Sequence, residues 1–335
     1  MSGAPEARRS RGSRALLLLA KAGLSAALMV WLFRRIPIAE LGESLRHASG
    51  EWLAAAALLL VFSNLVGSYQ WHRLLDMAGI RIPFWKTCAY FHVGLFFNNF
   101  LPANIGGDIA RVLDAARHGP TRVTAFATVL MDRLIGTLAL AGLALVTTLP
   151  AVDRFHLTLV YLALAAFFTL CALVLWALFH PGVLPALERA LGRVGLGALK
   201  PPLDELAARL RGFRAQRRLL IELFGIATVT QVSRIGVHVL VARALSLHIA
   251  LPYFFLFVPL LAVIVSLPIS LNGIGVREGA GIVLFGLVGV SRTQAFSLQF
   301  TTYLVAVAIS LLGGLIFLLR LPMRRSEARN QRRSC

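Results

Sequence analysis

Residues 97–111 read FNNFLPANIGGDIAR, and residues 267–278 read LPISLNGIGVRE. Each stretch ends an apolar segment, 83–101 or 252–267, with a Leu-Pro pair that is followed by glycines and charged residues. Proline lacks a backbone donor, and the residue before a proline is disfavoured in the α conformation. We therefore expect each segment to be a helix that breaks and then restarts as a second, shorter helix.

The rest of the sequence predicts a membrane protein. Of the 335 residues, 58% are hydrophobic and 15% are charged, and the mean hydropathy is +0.75. Six runs approach or exceed the ~20 apolar residues that a helix needs to cross about 30 Å of hydrocarbon. They lie near residues 15–33, 52–72, 122–149, 156–180, 219–245 and 294–319. We expect an all-α, polytopic membrane helix bundle with about six full spans, in which residues 1–335 form one transmembrane domain.

Arginine-rich segments predict the orientation of these spans. The segment 8–14, the loop 181–218 and the tail 320–335 all contain a large excess of arginine over acidic residues. By the positive-inside rule all three lie in the cytoplasm, which places both termini on the inner side of the bacterial inner membrane. Because the arginines cluster just outside apolar runs, the net charge of +19 does not indicate a nucleic-acid partner.

The loop 181–218 also contains apolar residues at helical spacing. These residues are Leu203, Leu206, Leu210 and Phe213. They predict an amphipathic helix that lies on an anionic lipid surface.

The two broken segments fit this topology as re-entrant hairpins. If only the first of them crossed the membrane, the basic loop 181–218 would move to the outside. If each broken segment instead enters the membrane and returns to the side from which it entered, every basic segment stays inside. The hairpins would then open to opposite sides and belong to two possible repeats, 50–150 and 219–320, with inverted topology. The alternative is a chance similarity between two apolar segments that contain proline and glycine.

The breaks mark the candidate site. Unpaired backbone groups at membrane depth are tolerated only where they are buried in protein or line a wet cavity. A half-helix that starts after such a break presents free amides and a positive dipole end, which suit a phosphate. We expect these half-helices to begin near Asp108 and Val276. The predicted hinge residues are Pro102, Gly106, Gly107, Pro268, Gly273 and Gly275.

Ionisable residues within membrane segments are costly and usually functional, so they are the candidate substrate ligands. The candidates are Asp108, Arg111, Asp132, Arg133, Arg234, Arg277 and Glu278, with Asn272 beside them. Weaker candidates are Asn98, Asn99, Gln231, His238 and Gln299. Asp132 and Arg133 are adjacent and point to different faces of a helix, so each needs a partner on another segment. The alternative to substrate binding is a set of interhelical salt bridges, and for the glycines it is close helix packing.

Common enzyme motifs are missing from the sequence. It has no G-x-S-x-G, no P-loop and no H-E-x-x-H. Cys88, Cys171 and Cys335 are far apart and lack a histidine at metal-ligand spacing, so we expect no disulfide, metal or cofactor. We expect a protein that is not an enzyme, although an intramembrane transferase that uses Asp108 or Glu278 as a base stays open.

The stretches 97–111 and 267–278, together with Met131-Asp132-Arg133, resemble the lysylphosphatidylglycerol synthase transmembrane family. They contain LP-x-x-x-GGD-x-x-R and NG-x-G-x-RE elements, and the resemblance covers nearly the whole chain. The family usually has Glu-Arg where this chain has Asp132-Arg133. The resemblance implies the fold of a lipid flippase. It also implies a stand-alone member without the soluble aminoacyl-transferase domain of two-part relatives.

Two functions from different classes fit these features. The first is the translocation of an anionic or lipid-linked amphiphile, in which the arginines bind a phosphate and the substrate is a membrane lipid. The second is an accessory membrane subunit for a lipid-linked glycosyltransferase or another lipid-modifying enzyme, which would then be the protein's partner.

Overall fold

The structure is a computed structural model. It describes residues 42–43, 46–100, 106–151, 158–180, 182–183, 186, 200–266 and 273–331. These residues form ten α-helices and no strand, which confirms the predicted all-α bundle. The predicted span at 15–33 lies outside the described residues, as do Pro102, Pro268 and Asn272.

Five of the helices match predicted spans. In chain order the helices are α1 (Gly50–Met77), α2 (Phe84–Phe100), α3 (Gly106–Ala115), α4 (Arg122–Thr148), α5 (Thr158–Phe179), α6 (Lys200–Ala215), α7 (Arg217–Ala244), α8 (Leu251–Ser266), α9 (Val276–Gly286) and α10 (Arg292–Gln331). By length and composition, α1, α4, α5, α7 and the part of α10 up to Arg320 can cross a membrane. The chain is therefore a multi-pass membrane protein.

The two broken segments form pairs of helices. α2 is followed by the 10-residue α3, and α8 is followed by the 11-residue α9. At 1.5 Å per residue, α3 and α9 are only about 15 Å long, which is too short to cross the hydrocarbon layer. Within each pair the two helices pack against each other. The break and restart of each segment are confirmed, whereas the re-entrant course and the inverted repeat stay predictions.

Two buried apolar clusters hold the bundle together. One includes Trp71 of α1 together with residues of α2, α3, α4, α6 and α7. The other is built mainly from α7, α8, α9 and α10, and the rings of Phe257 and Phe285 lie 5.3 Å apart within it. The helices α1, α4 and α7 each contribute residues to both clusters. These three long helices therefore form the frame that positions the short ones.

α6 is the amphipathic helix that the sequence predicts, but its apolar face has a different partner from the one expected. Leu210 and Phe213 are buried in the protein core, and Leu206 packs beside them. Glu205 accepts hydrogen bonds from the hydroxyls of Thr121 and Thr124 at the start of α4. Leu206, Leu210 and Phe213 thus pack on protein, and α6 contacts α4, α5 and α7. Contact between the α6 arginines and anionic lipid stays a prediction.

Candidate functional site

A close contact between α2 and α3 positions the first break. The side-chain oxygen of Asn98 in α2 accepts a hydrogen bond from the Gly107 amide at 2.9 Å. A Cβ on Gly107 would overlap the carbonyl oxygen of Gly94, so the approach of the two helices requires glycine. Asp108 consequently lies in the first turn of α3, and Arg111 follows one turn later, as predicted.

Two glycines with positive φ position the second break. Gly273 has a φ of +75° and Gly275 a φ of +81°, in a region that L side chains rarely adopt. α9 then starts at Val276, as predicted. The Glu278 carboxylate accepts a hydrogen bond from the Gly275 amide at 2.7 Å and caps the helix. Glu278 is fully buried, so the structure places it in a helix cap, and its role as a substrate ligand stays a prediction.

Arg111 of α3 and Asp132 of α4 form a buried ion pair. The Nη2 atom of Arg111 lies 2.7 Å from Oδ2 of Asp132, and the side chains are 5% and 10% exposed. Gln70 of α1 donates a hydrogen bond to Oδ1 of Asp132 at 2.8 Å. The Arg111 guanidinium also lies 4.3 Å from the ring centroid of Trp71 and 4.8 Å from that of Phe91. The pair therefore connects α1, α2, α3 and α4 at one point.

Arg133 points to a different face of α4 and pairs with Asp108 of α3. Its Nε lies 3.0 Å from Oδ2 of Asp108, and its Nη2 lies 2.8 Å from Oδ1. This is the two-point geometry that a guanidinium forms with a carboxylate or a phosphate. Asp132 and Arg133 thus each have a partner on another helix, as the sequence requires.

A cavity of about 420 Å³ lies beside these ion pairs, and a second of about 330 Å³ adjoins it. The residues that line both are Leu95, Asn98, Arg234, His238 and Arg277. Arg111, Asp132 and Arg133 also line the larger cavity. The structure therefore brings all four candidate arginines and Asp132 to one space. Asp108 lines neither cavity, but it contacts two of these arginines, Arg133 at 2.8 Å and Arg111 at 3.9 Å. Glu278 lines neither cavity.

Arg234 and Arg277 lie where the two cavities meet. The Arg234 side chain is exposed, and no ion pair among the described residues includes it. The Arg277 guanidinium lies 4.8 Å from the ring centroid of Tyr303 in α10. Apolar side chains complete the wall of the larger cavity, among them Leu140, Leu143, Val258 and Leu261. Cationic groups beside apolar walls suit an amphiphile with an anionic headgroup.

The sequence did not single out the side chains that hold the buried ion pair. Gln70 and Trp71 lie within an apolar span, where a polar residue often marks a contact between helices, so Gln70 had a usable signal. Phe91 and Tyr303 had no such signal in the sequence, since aromatic residues are common in membrane segments.

The described residues contain no cluster of three or more His, Cys, Asp or Glu side chains that could hold a metal ion.

A family model described as the lysylphosphatidylglycerol synthase TM region matches residues 18–314. The chain belongs to this family. The matched region of the lysylphosphatidylglycerol synthase TM family includes both breaks, both ion pairs and every described residue that lines the two cavities. Comparison with curated protein sequences finds no significant match. As a member of this family, the protein is a multi-pass membrane protein tied to lipid modification.

Proposed function

We propose that this protein translocates a lipid with an anionic headgroup across the bacterial inner membrane. The observation that supports the proposal is the position of Arg234 and Arg277 at the junction of two cavities inside a membrane bundle. Arg133 lines the larger cavity with a side chain that is 49% exposed. Guanidinium groups bind phosphate oxygens through strong charge-assisted hydrogen bonds, while the lipid tails can stay in the bilayer.

The costly step in lipid translocation is the passage of the charged headgroup through hydrocarbon. A path lined by arginines offsets that cost, because the phosphate exchanges water for charged donors. The breaks in the helices fit the same function. Arg277 lies in the first turn of α9, where the positive end of the helix dipole favours an anion. Irregular backbone at membrane depth is typical of sites that line such a path.

The proposal can be tested with the purified full chain in vesicles that contain fluorescent lipids of several headgroup classes. We expect the protein to speed the exposure of inner-leaflet lipid to a membrane-impermeant quencher. Arg277→Ala should abolish this activity, and Arg277→Lys should restore part of it, because lysine keeps the charge but loses the planar fork.

Arg211→Ala is the matched control, because Arg211 is exposed on α6 and lines neither cavity. Vesicles with wild-type protein that behave like protein-free vesicles would contradict the proposed function and favour an accessory subunit. Normal translocation by a well-folded Arg277→Ala protein would contradict the site.

A further inference from the structure

The smaller cavity, of about 330 Å³, is lined by uncharged hydrogen-bonding side chains as well as by arginine. We propose that it binds a ring polyol, such as a sugar, that is attached to the phosphate of the translocated lipid. This inference rests on the proposed function and names the part of the headgroup that follows the phosphate. The donors and acceptors in the cavity wall support it.

Two asparagines supply amide groups to this cavity from different helices. Asn64 of α1 is 5% exposed and lines the cavity, and its side chain forms no hydrogen bond among the described residues. A buried amide without a hydrogen-bond partner is costly, so such a group calls for one. Asn98 of α2 accepts the Gly107 amide with its Oδ1 atom, which leaves the N–H donors of its Nδ2 atom. Both asparagines therefore have hydrogen-bonding capacity for a ligand.

The helix α10 adds three hydroxyl groups to the same cavity. Thr302 and Ser310 each donate the hydroxyl hydrogen to a carbonyl oxygen within α10, at 2.8 and 2.7 Å. Their oxygens keep lone pairs that can accept a hydrogen bond. The Tyr303 ring lies against Arg277, and its hydroxyl forms no hydrogen bond within the described part of the chain. The wall of the cavity therefore offers both donors and acceptors.

This mixture of donors and acceptors fits hydroxyl groups. A hydroxyl both donates and accepts hydrogen bonds, whereas an ammonium only donates and an ionised phosphodiester only accepts. The Asn64 amide also donates and accepts, so it can pair with two neighbouring hydroxyls of one ligand. A polyol can therefore satisfy the amides and the hydroxyls of the wall together, whereas a headgroup without hydroxyls leaves some of them unpaired.

The positions of these groups favour a ring over a short flexible chain. The polar side chains belong to α1, α2 and α10, so they reach the ligand from three helices. A sugar ring presents hydroxyls around its whole edge, and because it is rigid it loses little conformational freedom on binding. A glycerol group has fewer hydroxyls and more rotatable bonds. Arg234 lines both cavities, so a phosphate bound to it would place its substituent beside the polar wall.

Three phosphodiester lipids of equal charge test this inference without requiring transport. The headgroup of phosphatidylinositol is a ring polyol, that of phosphatidylglycerol is a short polyol, and that of phosphatidylethanol has no hydroxyl. Each lipid is titrated against a phosphatidylglycerol with a fluorescent acyl chain, bound to the full-length protein in a detergent without sugar groups. We expect phosphatidylinositol to bind about ten- to a hundredfold more tightly than phosphatidylethanol, with phosphatidylglycerol between them. Glycerophosphoinositol, which lacks acyl chains, should compete much more weakly than phosphatidylinositol.

Variants of the cavity wall provide a second measurement. Asn64→Leu keeps the approximate size of the side chain and removes its hydrogen bonds. It should weaken the binding of phosphatidylinositol about five- to tenfold and leave that of phosphatidylethanol unchanged. Tyr303→Phe removes only a hydroxyl and keeps the ring against Arg277, so the same selective effect is expected. Gln216→Leu is the control and should change no affinity, because Gln216 is exposed between α6 and α7 and lines neither cavity.

The outcomes separate this inference from the proposed function. Equal binding of phosphatidylinositol and phosphatidylethanol by the wild-type protein would overturn the polyol assignment, even if the protein translocates an anionic lipid. Phosphatidylglycerol that binds as tightly as phosphatidylinositol would overturn the assignment of a ring, and equally strong competition by glycerophosphoinositol would overturn that of a lipid.

The variants test the position of the polyol. If Asn64→Leu and Tyr303→Phe change the affinity for all three lipids equally, or change none, the assignment of the smaller cavity is wrong. Selective binding of phosphatidylinositol that both variants weaken, without translocation of any lipid, would support the inference and contradict the proposed function.

Discussion

Arg133 of α4 holds the Asp108 carboxylate of α3 by both oxygens, with Nε 3.0 Å from Oδ2 and Nη2 2.8 Å from Oδ1. The Arg133 side chain is nevertheless 49% exposed and lines the larger cavity. Asp108 therefore occupies the donors that a lipid phosphate would use on this arginine. Under the proposed function, the carboxylate is an internal anion that competes with the incoming headgroup.

Asp108→Asn should therefore tighten the binding of an anionic lipid by several-fold, since Arg133 loses a charged competitor. The loss of stability should be small, about 0–1 kcal/mol, because the pair is partly exposed and an exposed pair contributes little. Titration with a fluorescent anionic lipid and thermal unfolding in detergent measure the two effects. Weaker binding by a folded Asp108→Asn protein would show that Asp108 itself belongs to the ligand site.

Arg111→Gln should destabilise the protein much more strongly. The change leaves the Asp132 carboxylate buried without its cation, at a cost of roughly 3–5 kcal/mol. The matched control is Arg73→Gln, because Arg73 and Glu222 form an interhelical pair of 2.8 Å whose side chains are 33% and 42% exposed. That control should lose only about 0–1 kcal/mol.

Thermal unfolding of the two purified variants gives the comparison. Arg111→Gln combined with Asp132→Asn should recover part of the lost stability, because no buried charge is then left alone. Equal unfolding temperatures for Arg111→Gln and Arg73→Gln would contradict the structural role assigned to the buried pair.

Local signals explain the part of the fold that the sequence predicts. A Leu-Pro pair and closely spaced glycines act on the backbone within a few residues, so the starts of α3 and α9 could be predicted to within about two residues. Arginines within an apolar run can likewise be recognised from the local sequence alone. The cap that Glu278 forms on α9 was also within reach, because it lies three residues after Gly275 in the spacing of a capping box.

The pairing of the charged residues could not be predicted, because it depends on how the helices rotate against each other. The sequence shows that Asp132 and Arg133 need separate partners, but not that Arg111 and Asp108 supply them. The amphipathic pattern of α6 has a similar ambiguity. An apolar face is the same in sequence whether lipid or protein covers it, and here Leu210 packs on protein.

Gly107→Ala should disrupt the contact that positions α3. A methyl group there would overlap the Gly94 carbonyl oxygen, and a backbone atom cannot move aside cheaply, so we expect a loss of roughly 1–3 kcal/mol. Gly225→Ala in α7 is the control, because a Cβ at that position has no neighbour within 4 Å among the described residues. It should be neutral or slightly stabilising, since alanine favours a helix interior. Similar thermal unfolding of the two variants would contradict the close approach of α2 and α3.

Cysteine labelling tests the orientation. In a background without Cys88, Cys171 and Cys335, single cysteines at Arg193 and Arg329 should react only from the cytoplasm, because the positive-inside rule predicts that the basic segments lie there. A cysteine at Arg117, between α3 and α4, should react from the same side if the first hairpin is re-entrant, as the sequence predicts. Labelling of Arg117 only from the periplasm would show that the α2–α3 segment crosses the membrane.

The translocation rate of a protein with a filled cavity shows whether the headgroup passes through that cavity. Thr137 of α4 lines the larger cavity, and a tryptophan there would occupy the headgroup path. Val229→Trp is the control, because Val229 is 48% exposed on α7 and lines neither cavity. In vesicles with folded protein, Thr137→Trp should lower the translocation rate at least about tenfold, which corresponds to an increase of roughly 1.4 kcal/mol in the activation barrier. Val229→Trp should leave the translocation rate unchanged. Wild-type translocation by a folded Thr137→Trp protein would contradict the claim that the cavity is the path of the headgroup.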